Sequence, residues 1–548
     1  MRRLLRLCVV GCMLSTHVLH ADAVVDAKTA VDAVTRLDGV VLTSVVCELD
    51  TSDELAPSNA LMGAIEGEYS QCVVGNLADD VEHIIADYLQ VSVGVDDLLT
   101  MKNRLNQLYA VNGYINTGVQ IPNQEITEGM LRLVLTPGRL LTMTIASDLR
   151  DRYITGRLRL NQPFNLVELQ AQLKLLEQDQ RITRIDARVE PTGVAGSAAL
   201  LLVADTVPRF AIGVSLANDR SPSIGSNNTR LQMEANNLTG WGDALQGSVS
   251  TTQGLDAIDV RYSLPLTFSD LTVTFEHSRS DSSVIEQPFA DLDVDSETES
   301  SGIVFNWPVI SELDSSLSLG LAFESRRNQT SLLGQAFSFS EGALDGESRV
   351  TPARLSVNYA VQGLAASLAA KLTVSHGTRA LQPTVDDPSS AGPDGSFTAY
   401  LAQVQYARML TDRFYVTAKV LGQYSASTLL SVEKFALGGV GSVRGYRQNQ
   451  IVRDNALLFS VESNYRFEAL PGFEIVAFYD WGSGENASGS VSLGRDTISS
   501  LGAGIAYSVA NGFSAELYVA HGFTDFAVEN RNLQDDGIHF RLSYDYKF

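Results

Sequence analysis

The chain has 548 residues, enough for more than one domain. Its net charge of −24 argues against nucleic acid as a partner and against a basic membrane-binding patch. A hydrophobic content of 45% with a mean hydropathy of only +0.03 is odd for a helical membrane protein. It is ordinary for a β-barrel, whose strands alternate apolar and polar residues.

The first 23 residues read as a secretory signal. Arg2, Arg3 and Arg6 form a basic region, residues 7–14 an apolar core, and Ala21-Asp22-Ala23 a small-residue cleavage site. Val9-Val10-Gly11-Cys12 superficially fits a lipobox, but the apolar run before Cys12 is short and Arg6 interrupts it. No later run reaches the ~18 apolar residues of a spanning helix. Residence in a membrane would therefore mean a closed barrel. Cys8 and Cys12 leave with the signal. Cys47 and Cys72 remain in an oxidising compartment, either as a disulfide or as two separate buried thiols.

Val25, Ala27, Ala30, Val31, Ala33 and Val34 suggest a short helix at 24–38. A strand-like run follows from Val40 to Leu49. Residues 80–112 look helical twice over, and strand runs follow near Tyr114–Ile121 and Leu131–Leu135. A second small unit opens with a strand at Met143–Ser147. It continues with a helix at Leu166–Leu176 and strands at Ile185–Pro191 and Ala198–Ala204.

After Pro208 helical periodicity disappears and strict alternation replaces it. In the last segment Ile538, Phe540, Leu542, Tyr544, Tyr546 and Phe548 share one face. His539, Arg541, Ser543, Asp545 and Lys547 share the other. Residues 255–264, 414–423 and 513–519 alternate in the same way. About sixteen such segments run from 209 to 548, an even number within the barrel range. Short connections such as Gly240-Trp241-Gly242 and Ala510-Asn511-Gly512 alternate with long ones near 278–299, 325–347, 377–397, 425–454, 481–495 and 523–535. That asymmetry distinguishes a barrel from a soluble sandwich, and charges opposite the aromatics imply a polar lumen.

No enzyme constellation emerges, so no catalytic residue and no cofactor is assigned. The five remaining histidines are scattered without metal-ligand spacing. Gly438-Gly439-Val440-Gly441 lacks the lysine of a phosphate loop. Asp291, Asp293 and Asp295 lack the glycine and glutamate of a calcium loop and read as a solvated acidic stretch. One loop is unusual. Between the candidate eleventh and twelfth strands lies Leu437-Gly438-Gly439-Val440-Gly441-Ser442-Val443-Arg444-Gly445-Tyr446. An arginine shielded from water wants a carboxylate. Alternation puts Phe478 and Asp480 on the lumen face, which makes Asp480 a candidate partner; a solvated arginine is the alternative.

This segment resembles the Val-Arg-Gly-Phe/Tyr signature of the sixth loop in the outer-membrane insertase/translocase superfamily. The chain is most similar to the two-partner secretion transporters (TpsB), the exporters of haemolysin and filamentous haemagglutinin. Tyr109 to Ile121 and Thr136-Pro137-Gly138 resemble the end of a first POTRA (polypeptide-transport-associated) domain, and Gln162-Pro163-Phe164 with 175–184 a second. Asn237 to Asp243 and Tyr262 to Leu266 resemble early barrel motifs. Tyr544, Tyr546 and Phe548 resemble the aromatic C-terminal signal of barrel assembly.

The resemblance implies an all-β transmembrane barrel of about 16 antiparallel strands, preceded by two small α+β POTRA domains. The domains would be a signal at 1–23, a short helix at 24–38, POTRA domains at 39–142 and 143–207, and the barrel at 208–548. The function implied is ATP-independent export of an unfolded secreted partner (a TpsA-like adhesin or haemolysin) across the outer membrane of a Gram-negative-type cell. Loop residues Gly438, Gly439, Val443, Arg444, Gly445 and Tyr446 would sit in the lumen against Phe478 and Asp480. Other implied partners are outer-membrane lipid, lipopolysaccharide and the barrel assembly machinery. The sequence departs from the family pattern at its short N-terminal segment and at an insert-like stretch, 52–78. The alternatives are the insertase branch, whose members carry more POTRA domains, and a diffusion porin, which needs no N-terminal units.

Overall fold

The computed structural model describes residues 40–50, 72–266, 270–384, 392–487, 494–528 and 531–548. The signal and the short helix expected at 24–38 lie outside the described residues, as does most of 52–78. The chain divides into two units, Met1–Thr206 and Val207–Phe548.

The N-terminal unit contains two small mixed sheets. In the first, Ser44–Leu49 runs parallel to Met130–Thr136, which pairs antiparallel with Gly118–Gln120. Helices Ala78–Ala86 and Val95–Val111 belong to the same core. The second helix begins with Asp96 and Asp97, acidic residues that suit the positive end of the helix dipole. The Asp97 carboxylate also accepts the Gly94 N–H at 2.9 Å. Leu98, Met101, Leu105 and Tyr109 recur at helical spacing and are buried. They meet Val45, Leu131, Leu133 and Leu135, which alternate along their strands. The Tyr109 hydroxyl donates to the Cys72 carbonyl at 2.7 Å, and burial pushes its pKa up. Cys47 and Cys72 are joined as a disulfide, with Cα atoms 5.5 Å apart.

The strand run read from Val40 to Leu49 is interrupted. Val40–Val41 pairs with Ser92–Val93, while the Thr43 N–H turns to the Gly129 carbonyl. The run near Tyr114–Ile121 contains only a three-residue strand.

The second sheet has the order Arg139–Ser147, Ser197–Thr206, Ile182–Pro191. Among the described residues its two outer strands each pair on one side only. The helix Leu166–Leu176 is capped by the Asn165 side chain, which accepts from the N–H groups of Val167 and Glu168. Leu169, Leu173 and Leu176 are its buried face. The opening strand starts at Arg139, ahead of the boundary expected after 142. At Pro137-Gly138, just before this strand, the Gly138 N–H donates to Thr117 Oγ1 and its carbonyl accepts from the Phe164 N–H.

The C-terminal unit is a closed barrel of sixteen antiparallel strands. The first is Phe210–Ala217 and the last is Ile538–Lys547. These two pair with each other, from Arg541 opposite Ala217 to Lys547 opposite Ala211. Phe210 and Phe548 complete the seam by exchanging backbone hydrogen bonds. Alternate apolar residues point outward and stay exposed, as with Phe210, Ile212, Val214 and Leu216. Leu542, Tyr544, Tyr546 and Phe548 do the same on the last strand. Inward-facing groups are polar and bond to one another: Gln232 donates to Asp545, and Tyr415 to Glu474.

Two of the expected long loops, 278–299 and 325–347, are about half strand. The sixth and seventh strands, Val294–Ser311 and Ser315–Leu332, have 18 residues each, whereas a span needs about 9–11. Above the lipid both faces of a hairpin meet water. Residues such as Glu297 to Ser301 therefore alternate nothing, and their pairing left no mark in the hydropathy.

Candidate functional site: the loop inside the barrel

The loop between the eleventh strand (Phe414–Ser425) and the twelfth (Asn455–Arg466) folds back into the lumen. It carries its own small hairpin, Phe435–Leu437 against Ile451–Arg453. Leu437, Val443, Tyr446 and Ile451 form an apolar cluster with Ala456, Leu458 and Ile498 of the wall. The loop thus supplies apolar packing inside the lumen.

Arg444 is the centre of the site. It is 5% exposed, and Asp480, on the thirteenth strand Phe473–Glu485, is 0% exposed. Arg444 Nε lies 2.7 Å from Asp480 Oδ2, and Nη2 lies 2.8 Å from Oδ1. The Arg444 backbone N–H also donates to Oδ2 at 3.1 Å. Nη1 pairs with Glu462 at 2.7 Å. Ser460 donates its hydroxyl to Asp480 Oδ1 at 2.6 Å. The guanidinium stacks 3.5 Å from the centroid of the Phe478 ring, with Tyr518 at 5.3 Å. A two-pronged, fully shielded pair of this kind is among the stronger polar contacts a protein makes. It fixes position as well as contributing energy.

Glycines allow the fit. A Cβ on Gly502 would lie 2.4 Å from the Phe478 ring, so the ring needs that glycine. Gly445 has φ +87 and presents its N–H to Nε2 of His539 at 3.0 Å. Gly438 and Gly439 have φ +105 and +93, a left-handed conformation that favours glycine. Tyr446 donates its hydroxyl to the Ser499 carbonyl at 2.8 Å and accepts from the Thr524 N–H. Beyond it, Arg447 joins Asp535 and Glu286, which come from two other loops, at 2.6 and 2.7 Å.

Of the residues singled out from sequence, the structure brings Gly438, Gly439, Val443, Arg444, Gly445, Tyr446, Phe478 and Asp480 to this one site. Tyr544, Tyr546 and Phe548 lie elsewhere, on the outer face of the last strand. Cys47 and Cys72 belong to the other unit. Glu462, Ser460, Tyr518 and His539 were not singled out. Strand parity puts Glu462 and Ser460 on the face opposite Phe459 and Val461. What it lacked was any sign that they stand beside Arg444.

The chain is similar to several known proteins. Residues 196–507 match the family described as haemolysin secretion/activation protein ShlB/FhaC/HecB, and residues 74–138 match the ShlB-type POTRA domain. The heme/hemopexin transporter protein HuxB of Haemophilus influenzae (strain 86-028NP) is 23% identical over 474 residues, covering 81% of this chain and 80% of that protein. The outer membrane transporter CdiB of Dickeya dadantii (strain 3937) is 23% identical over 419 residues, covering 73% and 72%. The solved structure of CdiB from Escherichia coli shares the fold, with a TM-score of 0.64 at 16% identity over 96% of this chain and 97% of that one. The barrel is thus an outer-membrane barrel whose POTRA domains stand in the periplasm. These proteins are transporters rather than enzymes. The family match spans more than half of the sequence, and the chain belongs to the ShlB/FhaC/HecB family of two-partner secretion transporters, which export a secreted partner protein across the outer membrane.

Proposed function

We propose that this transporter carries its partner outward as an unfolded chain, without ATP, and that the lumenal loop gates the route. The observation behind this reading is the shielded Arg444–Asp480 pair inside a polar barrel. An extended polypeptide carries unpaired backbone groups, and a polar lumen can solvate them. The loop occupies that lumen, so passage needs the loop to shift. Gly438, Gly439 and Gly445 supply the backbone freedom, and Arg444 with Asp480 and Phe478 supplies the fixed point.

Capture of the cargo falls to the two N-terminal sheets. The outer strands Arg139–Ser147 and Ile182–Pro191 can each accept an extended segment by strand addition. The cargo is an adhesin or haemolysin-like partner, and folding at the surface keeps it from returning. Tyr544, Tyr546 and Phe548 serve as the assembly signal read by the barrel assembly machinery. The apolar outer face meets lipid and lipopolysaccharide. The disulfide of Cys47 and Cys72 steadies the first sheet.

A secretion assay tests this. The transporter is co-expressed with its partner in a Gram-negative host, with and without residues 39–207, and the partner is followed in the medium. Loss of export with the barrel still in the outer membrane supports capture by the N-terminal sheets. Unchanged export would show that the barrel alone is the route.

A further inference from the structure

Arg444 anchors only one limb of the lumenal loop. The other limb, 426–434, packs on a different wall, made by the seventh strand (Ser315–Leu332) and the eighth (Pro352–Gln362). Ala399 of the tenth strand (Thr398–Met409) and Gln423 of the eleventh also touch this limb, the Gln423 amide donating to the Glu433 carbonyl at 3.0 Å. Glu433, with its side chain 5% exposed, takes Arg354 in a two-pronged pair: Nη2 to Oε1 at 2.7 Å and Nη1 to Oε2 at 3.0 Å. Arg354 also reaches Glu324 at 3.1 Å. Arg326 pairs with Glu324 at 2.7 Å and donates to the Val432 carbonyl at 2.8 Å. Leu429 and Leu430 are fully buried beside this cluster, against Val350, Phe397 and Ala399.

We propose that Glu433 is a second tether of the loop, positioned by Arg354 and Arg326, and that this tether releases independently of Arg444. The argument rests on the gating reading above and assigns the moving part within it. The two anchors differ in what they leave behind. Withdrawing Arg444 strands Asp480 at 0% exposure, a buried charge without its cation. Withdrawing Glu433 leaves Arg354 and Arg326 with Glu324 still between them. Their side chains are 21% and 31% exposed, so water can replace the lost carboxylate. Of the two tethers Glu433 is therefore the one released at lower cost, the limb then turning on Leu429 and Lys434, which stay bonded to the buried Asp454, while Arg444 stays fixed.

Cysteine reporters separate the two limbs. Leu430→Cys and Val443→Cys are placed, one at a time, in the full-length transporter in the outer membrane, and labelling by a membrane-impermeant maleimide is timed. Both positions are fully buried and should label slowly. Adding Glu433→Gln should speed labelling at position 430 at least tenfold and leave position 443 unchanged. Arg354→Gln should reproduce the pattern and serves if Glu433→Gln fails to assemble. Unchanged labelling at 430 in both variants would overturn the proposal. So would equal acceleration at 430 and 443, which would mean one body moving as a whole. The assay needs no cargo, so its failure is distinguishable from failure of the export reading.

Discussion

Tyr109 and Tyr544 sit in regions that solve the same problem in opposite ways. Tyr109, in the N-terminal unit, is fully buried among Met101, Leu105 and Leu133, its hydroxyl bonded to a backbone carbonyl. Tyr544, on the last barrel strand, turns outward and is 46% exposed. Water surrounds the first unit, so its apolar surface must be hidden inside. Lipid surrounds the barrel, so its apolar surface is already in a favourable medium and the polar atoms turn in. Stability consequently has different sources. The N-terminal unit depends on packing; the barrel depends on its closed hydrogen-bonded ladder and on a few lumenal contacts. Arg444 is the exception, a place where the barrel behaves like the interior of a soluble protein.

The sharpest way to break this contrast is at that exception. Arg444→Ala leaves Asp480 buried without its cation, at a cost of about 3–5 kcal/mol. Export should fall more than tenfold at equal surface abundance, measured as partner in the medium. Wild-type export by that variant would remove Arg444 from the mechanism. In the N-terminal core, Leu133→Ala should cost about 2–5 kcal/mol and make the periplasmic unit sensitive to protease while the barrel stays resistant. Replacing both Cys47 and Cys72 by Ser opens a link between residues 25 apart. A loss of about 2–4 kcal/mol is expected, read as a lower urea midpoint for the N-terminal unit alone. The smallest effect belongs to the lumen wall. Lys371→Gln should move barrel stability by no more than ~0.5 kcal/mol, yet shift ion selectivity in planar bilayers, because lumenal side chains tune conduction.

Much of this was legible in advance, for local reasons. The helix Leu166–Leu176 has the bounds its periodicity suggests, with Asn165 as its cap. The last strand reads directly as two faces, and parity alone placed Phe478 and Asp480 on the lumen side. Other features left little local trace. The extended hairpin around Glu297 to Ser301 looks like a loop because both of its faces are wet. The run at Val40 to Leu49 breaks because Gly129 takes the Thr43 N–H, a partner no local pattern names.

The sequence by itself determined the alternation of the barrel strands, the two helical cores, and the glycine-rich loop with an arginine in need of a carboxylate. Each of these is a property of neighbours along the chain: period, propensity or charge. Only the tertiary structure decided that Glu462, Ser460 and His539 stand around Arg444, that Gly502 makes room for Phe478, and that Glu433 meets Arg354. Those contacts join residues up to 94 positions apart, as in the Gly445–His539 bond. Closure of the barrel sets which lumenal side chains face one another, and closure depends on the register of every strand at once.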